Sequence, residues 1–469
     1  MTAPGKRPKG QARPPSTKKT RADGALQGAM IGHAMRLFST SSLLSLARIA
    51  GALAGFVTQV VLARTLQASA LGLFYSVTSL AAVVGLIAAH GYPAIAPRFL
   101  SRYGKQKKEG RIAAFIARAR HDATLYAAIA TGAVVAAALI WPSLTFESRF
   151  ALIAAGASIP ANASLRLNGS LAAAIRRFGL AYLPDTCVRP FVLLAGVLLL
   201  VALGVTLTAS TVTWLLTLIF TGLALTQYWL LRKDMPKGKA PAAPARLAKR
   251  WRREAKPLIL VALFTYFFAD VDILIVTPLL TSADTAAIGL CLKLALLVGF
   301  AVQVAHQVVV PDFADARARK DSATIRNVAL KALAFPLAIT SGAMVVVLLW
   351  GEQILSVFGP DFTGAKWPLV ILMGCQLARA VFGPSVPLLT VIGAQRQNAA
   401  LAVAALSVLI VSNLVLAPLH GVLGAAVGVA IATLFWLIAA AIVLGRVSGL
   451  RTDALYLLGR LGSLRSAPA

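Results

Sequence analysis

Acidic side chains are scarce: 16 of 469 residues are Asp or Glu, and all charged types together make up 13% of the chain, about half the share of an ordinary soluble domain. Cysteine is scarcer still. Cys187, Cys291 and Cys375 lie in apolar runs with no C-x-x-C spacing, so neither a zinc site nor a disulfide framework is indicated. No nucleophile–base constellation, metal cluster or phosphate-binding glycine loop appears, so an enzyme is not expected and no cofactor or metal is predicted. What the chain has instead is apolar surface, at 58% of residues. A soluble protein of this size has no means of covering that much.

A membrane-spanning helix needs about 20 mostly apolar residues. Twelve such runs are predicted, at 41–64, 73–97, 121–141, 149–172, 180–204, 210–231, 257–280, 286–310, 328–350, 366–390, 397–418 and 421–445. The first 40 residues are basic with Asp23 as their only acid, too long and polar for a signal-peptide n-region, so 41–64 reads as an uncleaved first helix. Charge supports the count. The formal charge is +30, from 46 Lys and Arg. With twelve spans, 38 of the 46 fall in loops or tails on one side and only Arg64, Arg149 and Lys366 on the other. Positive loops stay cytoplasmic, which places both termini in the cytoplasm. The basic tails suit anionic lipid headgroups, membrane lipids are therefore expected partners, and nucleic acid is not. The C-terminal stretch 450–465 reads as a membrane-surface helix.

The longest polar segment, 232–256, carries Pro236, Pro241 and Pro244 among ten basic residues. It divides the chain into a basic cytoplasmic tail (1–40), a six-helix lobe (41–231), a basic linker (232–256), a second six-helix lobe (257–445) and a cytoplasmic tail (446–469). The halves echo each other weakly. Gly72-Leu73 opens the second span as Gly289-Leu290 opens the eighth, and Ala89-His90 and Ala305-His306 follow, with ends at Pro97-Arg98-Phe99 and Pro311-Asp312-Phe313. The fold class is thus an all-α integral membrane protein, with about twelve transmembrane helices in two six-helix lobes enclosing a central cavity. Two parallel halves suit transporters that rock to alternate access.

A family pattern lies on top of this. Phe358-Gly359-Pro360-Asp361-Phe362-Thr363-Gly364-Ala365, Gly393-Ala394-Gln395-Arg396 and His420-Gly421-Val422-Leu423-Gly424-Ala425-Ala426 come in that order. With Leu62-Ala63-Arg64, Leu71-Gly72-Leu73-Phe74-Tyr75, Ala269-Asp270 and Ile288-Gly289-Leu290, the chain resembles the Wzx-type polysaccharide-biosynthesis flippases of the multidrug/oligosaccharidyl-lipid/polysaccharide exporter superfamily, over about residues 40–446. It departs at Gln67, near which the family usually has a glycine, and at Cys291, where the family's Gly-x-Tyr ends in tyrosine. The resemblance implies a two-lobed helical fold in the bacterial inner membrane. It also implies movement of an undecaprenyl-diphosphate-linked glycan, an O-antigen, exopolysaccharide or capsule repeat unit, between leaflets, and glycan polymerase machinery as a partner.

Five basic residues remain inside the spans: Arg48, Arg166, Arg189, Lys293 and Arg379. A cation at the bilayer centre costs at least about 2.5–3.5 kcal/mol, so each needs a partner, a watered cavity or a route to the surface. Arg166 is expected to snorkel. Arg48, Arg189, Lys293 and Arg379 are the candidate substrate-binding cations, since guanidinium grips phosphate with two parallel hydrogen bonds. Asp185 stands four residues before Arg189, so an internal ion pair is the plainer alternative there. Asp270 and Asp272, about 200° apart on a helix, either pair with Lys293 or Arg379 or couple transport to protons or sodium. His90 and His306 are expected to pack between helices. A drug/cation antiporter of the same superfamily would favour an acidic cavity. A membrane-embedded glycan polymerase or ligase would need a larger outer loop than 351–365, the longest expected here.

Overall fold

A computed structural model describes residue 44 and residues 46–235, 244–318 and 322–448, with side chains except at 265–266, 307–332, 390–391 and 395. The tail 1–40, the proline-rich part of the linker and the expected surface helix 450–465 lie outside the described residues. The chain divides into two compact units, residues 1–50 and 51–469. Arg48 belongs to the first and is half-buried; the helices beyond residue 50 belong to the second.

Every regular element among the described residues is helical. In chain order they are α1 (Leu46–Thr65), α2 (Ala68–Ala88), α3 (Tyr92–Lys105), α4 (Glu109–Ile140), α5 (Phe146–Ala174), α6 (Phe178–Leu183), α7 (Arg189–Ala202) and α8 (Ala209–Arg232). The second half holds α9 (Ala245–Tyr266), α10 (Phe268–Val276), α11 (Ser282–Ala318), α12 (Ser322–Ser356), α13 (Lys366–Phe382), α14 (Ser385–Val391) and α15 (Gln395–Ser448). Threonines cap three of the starts: Thr145, Thr208 and Thr281 accept from the backbone N–H three residues on, at 3.2, 3.2 and 3.1 Å. Such caps satisfy one of the orphan donors at each helix start.

Among the described residues ten helices are long and apolar enough to cross a membrane, and eleven when α9 and α10, bent by 72°, count as one span. The last candidate runs 53 residues, more than twice what one crossing needs. Gly421 breaks it with φ 58° and ψ −136°, and the chain folds back so that Ser412 Oγ donates to the Gly428 carbonyl at 3.2 Å. The two arms of α15 therefore lie side by side, and each is long enough for a crossing of its own.

Several expected boundaries are corrected. The segment expected as a linker is helical from Ala245. Leu247, Trp251 and Ala255 recur at one-turn spacing, and the last two are fully buried, so the basic stretch is amphipathic and forms the first turns of α9. The span at 73–97 breaks at His90 and Gly91, both with positive φ, and restarts as α3. The span at 180–204 contains a π-helical turn, Pro184–Val188. The span at 366–390 breaks at Gly383, φ 63°, before Pro384. The expected outer loop 351–365 is mostly helical: residues 351–356 finish α12, and Pro360–Ala365 is a 3-10 turn with Phe358 and Phe362 buried.

The halves meet along α2, which packs on α10 and α11. The contact is made close by glycine, as in membrane helix pairs where small residues let backbones approach. A Cβ added to Gly72 would collide with the Ser282 carbonyl and stand 3.1 Å from Ala286 N, and one added to Gly289 would stand 2.5 Å from the Tyr75 ring. The two glycines that opened the repeat pattern thus form the seam. At the same end, Arg64 donates to the carbonyls of Val357 and Ser356 at 2.7 and 2.8 Å, and Phe56 meets Phe358 edge-on at 5.7 Å. At the basic end α9 is clamped onto the first half. Trp251 packs on Phe115 at 5.1 Å and its Nε1 donates to Tyr103 Oη at 3.1 Å. Asp122, 1% exposed, accepts from Tyr92 Oη (2.7 Å), from Arg118, and from Arg252 through Nε (2.9 Å) and Nη2 (3.0 Å).

Candidate functional site

Three groups of polar side chains inside the spans contain the acidic and basic residues expected to matter, Arg48 apart. The first straddles the seam. α2 presents Tyr75 and Ser79, α10 presents Asp270, and α11 presents Lys293. Ser79 Oγ donates to Asp270 Oδ1 at 3.0 Å, and Lys293 Nζ lies 4.7 Å from the centroid of Tyr75, a cation–π contact that offsets part of an ammonium's desolvation. The π-helical turn widens the chain just before α7, and across it Arg189 Nε donates to Asp185 Oδ1 at 2.8 Å. The Cβ position of Gly51 abuts the Thr186 carbonyl in that turn.

Arg166 joins this group. Its guanidinium stacks 4.2 Å over Phe267, and Asp185, Asp270 and Arg189 all lie within its electrostatic reach. Asp270 in turn feels Lys293, Arg166 and Arg189. The expectation that Arg166 snorkels to the surface is therefore overturned. α5 carries it inward, and the bend at Phe267 puts a ring beneath it. Counting spans placed it near a helix end; only the contact of its guanidinium with Phe267, from the other half of the chain, shows where it points. The group holds three cations and two carboxylates, with Arg189 tied to Asp185.

The second group is Asp272 with Asn413, both wholly buried. Asn413 Nδ2 donates to Asp272 Oδ1 at 2.9 Å. Asp272 Oδ2 and Asn413 Oδ1 have no hydrogen-bond partner among the described residues. Two acceptors without donors are costly in an apolar interior, and a proton or a small cation relieves both. Asn413 carried no signal in the sequence, since an amide in a long apolar run reads as packing. Asp270 and Asp272 thus face different neighbours, and among the described residues neither forms an ion pair within 4.0 Å of Lys293 or Arg379.

The third group surrounds Arg379 on α13. Nη1 lies 3.5 Å from Gln376 Oε1, and the guanidinium borders a cavity of about 80 Å³ between α10, α11, α13 and α15, with Asp270 on its wall. The structure thus brings Lys293, Arg189, Asp185 and Asp270 together, and leaves Asp272 and Arg379 in separate places. His306 is buried and within electrostatic reach of Arg379; His90 stacks on Tyr126 at 4.6 Å.

No family model and no curated protein matches the sequence. Solved structures do match the fold. An inward-facing multidrug resistance MATE family transporter of the MOP superfamily aligns with a TM-score of 0.64 at 13% identity, covering 91% of this chain and 96% of that one. The lipid II flippase MurJ in an inward closed conformation aligns with a TM-score of 0.67 at 14% identity, over 86% of this chain and 87% of that one. A MATE in complex with MaL6 gives 0.58 at 14% identity, over 90% and 96%. The fold that this chain shares with the MATE transporter and the lipid II flippase is a two-lobed, all-helical membrane fold.

Proposed function

We propose that the chain is a flippase of the bacterial cytoplasmic membrane, with its basic end in the cytoplasm, that carries a polyprenyl-diphosphate-linked oligosaccharide from the cytoplasmic to the periplasmic leaflet by alternating access. One observation carries the reading: a cluster of Arg166, Arg189 and Lys293, richer in cations than in carboxylates, lies along the seam between two halves that share a transporter fold. A diphosphate losing water needs fixed positive charge, and charge-assisted hydrogen bonds to phosphate are among the strongest available. Lys293 is half-committed to Tyr75 and Arg189 to Asp185, so the substrate would exchange for these partners. Asp272 with Asn413 is the coupling site in this reading, taking a proton or sodium ion. The polymer-forming machinery would receive the flipped unit.

Deletion followed by analysis of lipid-linked intermediates tests this. Complete repeat units should accumulate in the cytoplasmic leaflet, and Arg166→Ala with Lys293→Ala should reproduce the defect at normal protein level. Periplasmic accumulation of single units would instead indicate a polymerase. Half-buried Asp270 and buried Asp272 favour a second reading, a cation-coupled drug exporter like the MATE neighbours. That reading requires raised drug sensitivity on deletion with normal glycan intermediates.

A further inference from the structure

The cavity at Arg379 differs from the seam cluster in holding a guanidinium that, among the described residues, forms no ion pair. Among the described residues no carboxylate comes within 4.0 Å of the Arg379 guanidinium, and its hydrogen bond to Gln376 is long at 3.5 Å. Across the cavity stands Trp436, 6% exposed, whose Nε1–H has no acceptor among the described residues. Its indole is held edge-on against Phe264 at 4.7 Å, and Phe264 against Phe268 at 4.9 Å, so the aromatic wall is rigid. Asp270 also borders the cavity, but its charge is engaged by Ser79 and by the fields of three cations. The uncompensated charge facing the cavity is therefore positive.

Size narrows the ligand. About 80 Å³ is several times the roughly 10–15 Å³ that one water requires, and is suited to one phosphoryl or carboxylate group rather than to a sugar diphosphate. The rim includes Leu296, 44% exposed, and the lining is mostly apolar. An anionic head fits inside and an apolar chain fits at the mouth.

We infer that the cavity bounded by Arg379, Trp436, Phe264 and Phe268 is a separate anion site within the second half, which takes the single phosphoryl or carboxylate head of an amphiphile against a guanidinium and an indole N–H. The site shares with the proposed function only the sign of its ligand's charge. Its occupant is too small to be the transported glycan head, so either assignment stands if the other fails.

The test uses purified full-length protein in neutral glycoside detergent, titrated with dodecyl phosphate and followed by tryptophan emission and by calorimetry. Saturable binding is expected, weakened at least tenfold by Arg379→Met and less by Arg379→Lys, as loss of a charge-assisted hydrogen bond requires. Trp436→Phe should abolish most of the emission change and weaken calorimetric binding severalfold while leaving the aromatic wall filled. Lys366→Met, which removes a cation paired with Glu352 at the far end of the helix, should bind as the parent does. Competition by inorganic phosphate marks the ligand as a free anion; no competition at millimolar phosphate marks it as a lipid-like head. The assignment is overturned by absence of saturable binding, by equal affinity in Arg379→Met, or by equal binding of dodecyltrimethylammonium. None of these outcomes reads out glycan flipping.

Discussion

Replacing Gly289 with alanine probes the seam directly. The new methyl would stand 2.5 Å from Tyr75 Cδ2, 3.2 Å from Cε2 and 3.4 Å from Cγ, so the ring or the helices must move by about 1 Å to reach ordinary contact. The ring has little freedom. Tyr75 is wholly buried, its hydroxyl donates to Gln59 Oε1 at 2.7 Å, and its face holds Lys293. Overpacking of this kind costs about 1–3 kcal/mol. If the seam closes in one transport state and parts in the other, that cost falls on the closed state alone and moves the balance roughly 5- to 150-fold. Spin labels at Gln67 and Ala283, both exposed beside the seam, in a background without native cysteines, would report it as growth of a longer-distance population. Gly72→Ala, whose methyl meets backbone rather than a ring, should shift it further. An unchanged distance distribution together with an unchanged melting temperature in both variants would refute the reasoning.

Three further outcomes are expected. Trp251→Ala removes the buried anchor of α9 and, at about 3–5 kcal/mol for a large aromatic, should raise hydrogen exchange across 245–256; Asp122→Ala, which strands Arg118 and Arg252, should do the same at about 2–3 kcal/mol once the arginines' partial exposure is allowed for. Burial pushes the Glu254 carboxyl up, but the hydrogen bond from Arg250 and the charges of Arg98 and Arg250 outweigh it and hold the group below the usual carboxylate range. A depressed carboxylate stabilises above its unfolded value, about 4.3, and the contribution is lost as pH falls through the folded value. Exchange at the basic stretch ahead of Pro257, outside the apolar span, should therefore rise on acidification by less in Glu254→Gln than in the parent. Asp272→Asn should leave melting nearly unchanged while abolishing the response of transport to proton and sodium gradients; a retained gradient response would exclude Asp272 as the coupling group.

Which features the sequence alone could supply depends on how far apart the interacting residues are. Span count and the all-helical class are local: each crossing needs its own apolar run, because no water in the bilayer completes an open backbone. Hence the apolar runs on either side of Gly421 were read as two, and the backbone does break there. The Arg189–Asp185 pair was legible for the same reason, since four residues make one turn. That the basic stretch is helical from Ala245 was not legible in the same way, because a count of basic residues says nothing about Leu247, Trp251 and Ala255, whose spacing gives that stretch one face turned to the protein.

Apolar periodicity and the charge census thus determined that this chain lies in a membrane as a bundle of helices and that five cations stay inside it. Tertiary structure decided which neighbours Arg166, Lys293 and Arg379 meet. Arg166 turned out to be drawn to Phe267 and the two carboxylates, and Lys293 to Tyr75. Arg379 was separated from the rest by the packing of α13 against α10, α11 and α15, and Asp272 found Asn413 across 141 residues of sequence. A long side chain in low dielectric is governed by whichever charge or ring stands within a few ångströms, and that neighbour comes from another helix.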